Sequence, residues 1–215
     1  MSDPTGETVQ IASDQGGSSF AAWRVGVVDA RRGGLVLLHD TSGITVEFRT
    51  LARSYADHGY EVLIPRLFDR IHGGDSDPAE PGAVDRLDII QAAVDALAAP
   101  VFVLGLGYGA TLAWQAASRC TSLSAAAAFY GDQIIDHLDE TPLVPMILHV
   151  GKADDLIPLA DVETIRARYP DLPVHMYDAG HAFMSPSDFH ADSARLSELR
   201  TLAHFARNGG GRSEA

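Results

Sequence analysis

The sequence predicts an α/β protein with a mostly parallel central sheet and helices on both faces. Three observations point there. Short apolar runs alternate along the chain with amphipathic segments. The runs are apolar at consecutive positions, as in Gly34-Leu35-Val36-Leu37-Leu38, which suits strands covered on both faces. Polar or glycine-rich segments follow most of the runs, where sheets of this kind gather their ligands.

The elements follow in order. The first 19 residues are polar and end in Gly16-Gly17-Ser18-Ser19, which reads as a flexible segment with a candidate edge strand at Glu7–Ala12. Gly34–His39 is the first core strand. Val46–His58 is a helix carrying Val46, Leu51 and Tyr55 on roughly one face, with Gly59 as its stop. Glu61–Pro65 is the next strand, and Gly73–Gly82 is a loop rich in Asp, Pro and Gly. Val84–Leu97 is an amphipathic helix with Leu87, Ile90, Ala93 or Val94, and Leu97 in line. Then come strand Val101–Leu104, helix Tyr108–Arg119, strand Ser124–Phe129 and strand Pro145–Val150. Helix Leu159–Tyr169, strand Val174–Tyr177 and a last helix over Phe189–Ala206 complete the pattern, and Asn208-Gly209-Gly210-Gly211 reads as the start of a flexible tail. The expected organisation is one domain over 20–207 around a sheet of about seven or eight strands.

Composition narrows the function. The chain has 215 residues, enough for a sizeable core, and its 46% hydrophobic content is that of a globular protein. Its 29 acids outnumber 16 bases, a net charge of −13, which makes nucleic acid and anionic membranes poor partners. With one cysteine, Cys120, there is no intramolecular disulfide. No signal peptide and no membrane-length apolar run stands out, so the expectation is a cytoplasmic protein, monomer or homodimer, that takes a small-molecule substrate or ligand. No His, Cys, Asp and Glu cluster has metal-ligand spacing, so neither metal nor cofactor is expected.

The segments after the strands carry the chemistry. They are His39-Asp40-Thr41-Ser42-Gly43, Gly105-Leu106-Gly107-Tyr108-Gly109-Ala110, Gly151 to Pro158, and Asp178-Ala179-Gly180-His181-Ala182-Phe183. An acid after one late strand and a histidine after the next is the order in which α/β-hydrolases carry nucleophile, acid and histidine. The acid orients the imidazole and the imidazole moves the proton. Asp154 competes with Asp155 for the acid's place, and Asp154 is favoured by its place in the motif.

Taken with Gly59-Tyr60, Pro65-Arg66-Leu67-Phe68 and Tyr130-Gly131, these segments resemble the dienelactone hydrolase family, the carboxymethylenebutenolidase-like branch of the α/β-hydrolases. The resemblance covers about Gly33 to Ala206. It implies the α/β-hydrolase fold and an ancestral hydrolysis of esters or lactones. It places the acid on Asp154 and the histidine on His181. Asp40 falls where the family has a glutamate that manages the nucleophile's proton. The N–H groups of Tyr108 and Thr41 fall where the family has its oxyanion hole, and Tyr130 is a candidate pocket wall. The family's nucleophile position, the centre of a Gly-x-Cys-x-Gly-Gly elbow, falls on Gly107, which has no side chain. Cys120 lies thirteen residues further on and should point elsewhere. One family arginine that holds a substrate carboxylate falls on Ser185, and a second has no counterpart in the short segment around Ile71–Ala83.

Three readings of function remain open at this level. The chain is a hydrolase-family enzyme in which His181 activates water, or an acid–base enzyme such as an isomerase or cyclase. It is a non-catalytic binding protein that keeps the pocket. It is a nucleophile knockout of an ordinary cysteine or serine hydrolase. Gly105-x-Gly107-x-x-Ala110, with Asp132 near where a ribose-binding acid could lie, also matches a dinucleotide-binding fingerprint, but it sits mid-chain and the flanking segments fit the hydrolase order far better.

Overall fold

In the computed structural model, residues 6–12, 19–27, 30–68 and 85–211 are described. The loop expected at Gly73–Gly82 lies outside them, as do residues 1–5, 13–18 and 212–215. Eight strands form one sheet: β1 (Glu7–Ala12), β2 (Ser19–Val25), β3 (Gly33–Leu38), β4 (Tyr60–Pro65), β5 (Val101–Leu106), β6 (Ala125–Phe129), β7 (Met146–Gly151) and β8 (Val174–Tyr177). Their order is β1-β2-β4-β3-β5-β6-β7-β8, with β1 and β2 antiparallel at one edge and the remaining pairs parallel. This is the architecture that the alternation of the sequence predicts.

Strand β2 was not legible in the sequence. Its burial alternates poorly, and the preceding Gly16-Gly17-Ser18-Ser19 gives it the composition of a loop. It exists because β4 offers an open edge: Ala22 to Val25 pair with Pro65 to Val62.

Among the described residues five α-helices cover the sheet: α1 (Val46–Asp57), α2 (Arg86–Asp95), α3 (Tyr108–Arg119), α4 (Leu159–Arg168) and α5 (Ala191–Phe205). Thr45 caps α1 by accepting from the Phe48 N–H at 3.2 Å, and Asp85 caps α2 by accepting from the Leu87 N–H at 3.0 Å. Alternate residues of the central strands feed two cores. Val36, Leu38, Val103 and Ala126 face α2 and α3, whereas Leu35, Leu37, Phe102 and Leu104 face α1 and α5. Strand β6 is four alanines and a phenylalanine, small enough for helices on both faces to lie close.

The tail expected from Asn208 begins later than composition suggests. Residues Ala206–Gly210 form a π-type turn continuing α5. Asn208 Nδ2 donates to the His204 carbonyl at 2.8 Å, and Gly210 is buried against the Tyr60 hydroxyl and Phe102. A short 3-10 helix at Ile134–His137, absent from the sequence reading, follows β6. Among the described residues no helix is long and apolar enough to cross a membrane.

Candidate active site

The parallel register sets the carboxyl ends of β3, β5, β6, β7 and β8 side by side: Leu38 pairs with Gly105, Leu106 with Phe129, Phe129 with His149, and Gly151 with Tyr177. The residues that follow these ends are Asp40, Gly107, Tyr130, Asp154 and His181.

His181 and Asp154 meet. Nδ1 of His181 lies 3.0 Å from Oδ1 and 2.9 Å from Oδ2 of Asp154. The Asp154 side chain is wholly buried, and its Oδ1 also accepts from the Leu156 and Ile157 N–H groups at 3.0 and 3.1 Å. Those contacts satisfy a buried charge that would otherwise be costly, and they hold the carboxylate in the ring plane's reach. The histidine's partner is therefore Asp154; Asp155 is exposed and contributes only its charge. The hydrogen bond to Asp154 raises the His181 pKa above its ordinary value. The charges of Asp154, Asp132 and Asp155 add to the rise, and burial opposes it.

Strain surrounds the ring. Ala182 (φ 26°) and Tyr130 (φ 44°) have positive φ, rare for residues with a Cβ. Tyr130 stands edge-on to His181 with ring centroids 5.3 Å apart, and is 3% exposed, so it backs the histidine rather than lining an open wall. Burial pushes its phenol pKa well up; Ser185 acts against this and the Asp40 charge adds to it. Tyr130 thus lies within reach of the fields of both sides of the site.

Gly107 stands at the turn from β5 to α3 with φ 56° and ψ −124°, a left-handed conformation that glycine takes without a Cβ penalty. The turn is tight on every side. A Cβ on Gly105 would lie 1.9 Å from the Gly109 carbonyl oxygen, and one on Gly109 would lie 2.2 Å from that of Leu38. The glycines thus seat α3 against β5 and β3, a packing role sufficient to account for the Gly-x-Gly spacing.

The two expected oxyanion donors converge, but on a side chain. Asp40 Oδ1 accepts from the Thr41 N–H at 2.6 Å and lies 3.4 Å from the Tyr108 nitrogen, which donates to it more weakly. A Cβ added to Gly107 would lie 3.0 Å from both Cγ and Oδ2 of Asp40. The open anion pocket inferred from the sequence is therefore filled, because the shorter aspartate packs down onto the space that glycine leaves free.

His39 is a core residue at the end of the first core strand. It is buried, yet it also fixes Asp40. Its Nδ1 donates to the Asp40 carbonyl at 2.7 Å, and its Nε2 accepts from the Leu67 N–H at 3.3 Å. Burial lowers its pKa, which keeps the neutral tautomer that this clamp needs. His149 is satisfied in the same way by the Tyr177 hydroxyl at 2.7 Å and Thr201 Oγ1 at 2.9 Å, away from the site's chemistry. Arg86 was also missed. Its guanidinium sits 4.8 Å from the Phe68 ring centroid and 6.0 Å from that of Tyr108, beside the first turn of α3. Cys120 is buried at the far end of α3, and burial pushes its thiol up to about 12. Among the described residues no three His, Cys, Asp or Glu side chains converge to hold a metal ion.

Comparison with known proteins agrees with this architecture. A protein of Klebsiella pneumoniae subsp. pneumoniae assigned to dienelactone hydrolase is 21% identical, with a TM-score of 0.77 over 94% of this chain and 99% of that one. A dienelactone hydrolase-like promiscuous phosphotriesterase from metagenomic libraries is 19% identical, with a TM-score of 0.69 over 94% and 98%. A Pyrococcus furiosus esterase is 16% identical, with a TM-score of 0.72 over 96% and 92%. The uncharacterized protein YczH of Bacillus subtilis (strain 168) is 25% identical over 187 residues, 81% of this chain and 91% of that protein. At these identities the solved structures establish the shared fold. The dienelactone hydrolase profile itself matches residues 20–208, and with that span covered the chain belongs to the dienelactone hydrolase family.

Proposed function

We propose that the protein is a cofactor-independent hydrolase in which His181, backed by Asp154, activates water for attack on an ester carbonyl. Gly107 stands at the family's nucleophile position, so no thiol or hydroxyl attacks from the elbow. The observation that carries this reading is the Asp154–His181 contact, with both carboxylate oxygens within 3.0 Å of Nδ1 and the carboxylate itself buried. That arrangement leaves Nε2 to take a proton from water and Nδ1–H to be stabilised as the charge develops. The acids Asp132 and Asp155, whose charges reach the histidine, favour an uncharged substrate over a carboxylate such as dienelactone. Ser185, in place of an arginine, points the same way.

Turnover of neutral aryl and alkyl esters tests the reading. The expected result is slow hydrolysis without a stoichiometric burst, lost by about a hundredfold or more in His181→Ala while the melting temperature holds. Equal rates in the two proteins would overturn it. A second reading, a binding protein without catalysis, is favoured by the Asp40 carboxylate on the donor pair. It predicts ligand-dependent stabilisation with no His181-dependent turnover.

A further inference from the structure

We propose that Asp40 is itself the nucleophile, and that it attacks a saturated carbon whose leaving group departs as an anion, as in an alkyl halide. The proposal rests on the reading of His181 as the water-activating base, and it names the ester that this water attacks.

The geometry has the parts of a carboxylate nucleophile, drawn from the strand β3 turn instead of the elbow. One oxygen, Oδ1, is held by two backbone N–H groups, those of Thr41 and Tyr108. The other, Oδ2, has no hydrogen bond among the described residues and lies 3.0 Å from the point that a Cβ at position 107 would occupy. The carboxylate thus faces the place from which an elbow side chain would project, with Cγ and Oδ2 at 3.0 Å and Oδ1 at 3.3 Å. The residue is exposed, so substrate can reach it, and His39 pins its backbone. A carboxylate and an elbow side chain could not share this space without one shifting, and Gly107 leaves it to the carboxylate.

The chemistry selects the substrate. Attack by a carboxylate on an acyl ester gives an anhydride, which is less stable than the ester consumed. Attack on a saturated carbon gives an ordinary ester. In the first step Oδ2 forms a bond to the carbon, and the carbon–halogen bond breaks with its electron pair leaving on the halide. In the second, His181 takes a proton from water as the water oxygen attacks Cγ of Asp40. Negative charge develops on Oδ1, the oxygen already on the Thr41 and Tyr108 donors. Collapse breaks the Cγ–Oδ2 bond, and the departing alkoxide takes the proton from His181. The products are an alcohol and halide, with the remaining proton released when Asp40 is again a carboxylate. One Asp40 oxygen now comes from water.

The probes are 1-bromohexane and 1,2-dibromoethane, with bromide release as the readout. A single turnover with enzyme in excess in 18O-water should place 18O in the peptide bearing Asp40 and none in the first alcohol formed. His181→Ala should accumulate one alkyl group per chain on that peptide, because the second step is slowed. Asp40→Asn should lower bromide release by at least about a thousandfold with an unchanged melting temperature. Label in the alcohol, an adduct on another residue, or no bromide release above the solution rate would overturn the proposal. The unmodified protein carries the isotope arm, so the result does not depend on any variant folding. His181-dependent turnover of 4-nitrophenyl acetate without Asp40 labelling would remove the nucleophile and leave the water-activating role of His181 standing. Wild-type and His181→Ala proteins that turn over every probe equally would remove both.

Discussion

The two halves of the site are built differently. On the β7–β8 side, Asp154 is buried, accepts two backbone N–H groups and holds His181 from below. On the β3–β5 side, Asp40 is exposed, rests on two backbone donors of unequal reach, and faces a glycine. The β7–β8 half is a closed assembly whose members bond one another. The β3–β5 half is open, and the Asp40 carboxylate from one turn packs over Gly107 of the neighbouring turn. The Asp154–His181 contact thus forms with glycine at position 107 and needs no side chain there.

The largest test of this contrast is Asp154→Asn. An amide can keep accepting from Leu156 and Ile157 but gives His181 no counter-charge and favours the wrong tautomer. His181-dependent turnover should fall by about 10^4. The melting temperature should fall less than in Asp154→Ala, which strands two donors at about 1–3 kcal/mol each. If Asp154→Asn retains full turnover, the buried half is scaffolding only.

A pH series sharpens the same half. The His181 pKa is raised by Asp154 first. Its charged form therefore adds stability that is complete below the unfolded value of 6.5 and fades as pH rises through the folded value. Activity that needs the neutral base should rise over that same upper window. In Asp154→Asn the activity limb should move to lower pH. A limb that stays in place would assign the titration to another group.

On the open half, Gly107→Cys places a Cβ at positive φ and 3.0 Å from Asp40. A loss of roughly 1–2 kcal/mol is expected by denaturant unfolding, offset in part by the stiffer unfolded chain. The loss should shrink in an Asp40→Ala background, since the two positions share one space. An unchanged loss would locate the cost in the backbone alone. The new thiol should alkylate faster than that of Cys120, which burial pushes up to about 12. The smallest effect is expected for Cys120→Ala, which should leave turnover unchanged.

Much of the molecule was legible beforehand because strand and helix periods differ. The strands from Gly33 to Tyr177 and the helices between them lie within about two residues of their expected bounds at most ends. Asp154 and His181 could be named because each follows a strand in a recognisable order. Strand β2 was not legible, since its pairing energy resides in β4. Nor was the ordered turn at Ala206–Gly210, where glycines that suggest a tail instead permit burial against Tyr60.

By itself the sequence determined the alternation of strands and helices, the acidic surface, and the absence of any side chain at position 107. These are properties of residue type and local period, which need no knowledge of neighbours distant in the chain. Only the tertiary structure decided that Asp154 rather than Asp155 holds the histidine, that His39 clamps the Asp40 backbone, and that Asp40 fills the space above Gly107. Asp40 and Gly107 are 67 residues apart in the sequence. Their meeting depends on the parallel pairing of β3 with β5 and on the close seating of α3, and a carboxylate's partners are set by distances of a few ångströms that no local pattern encodes.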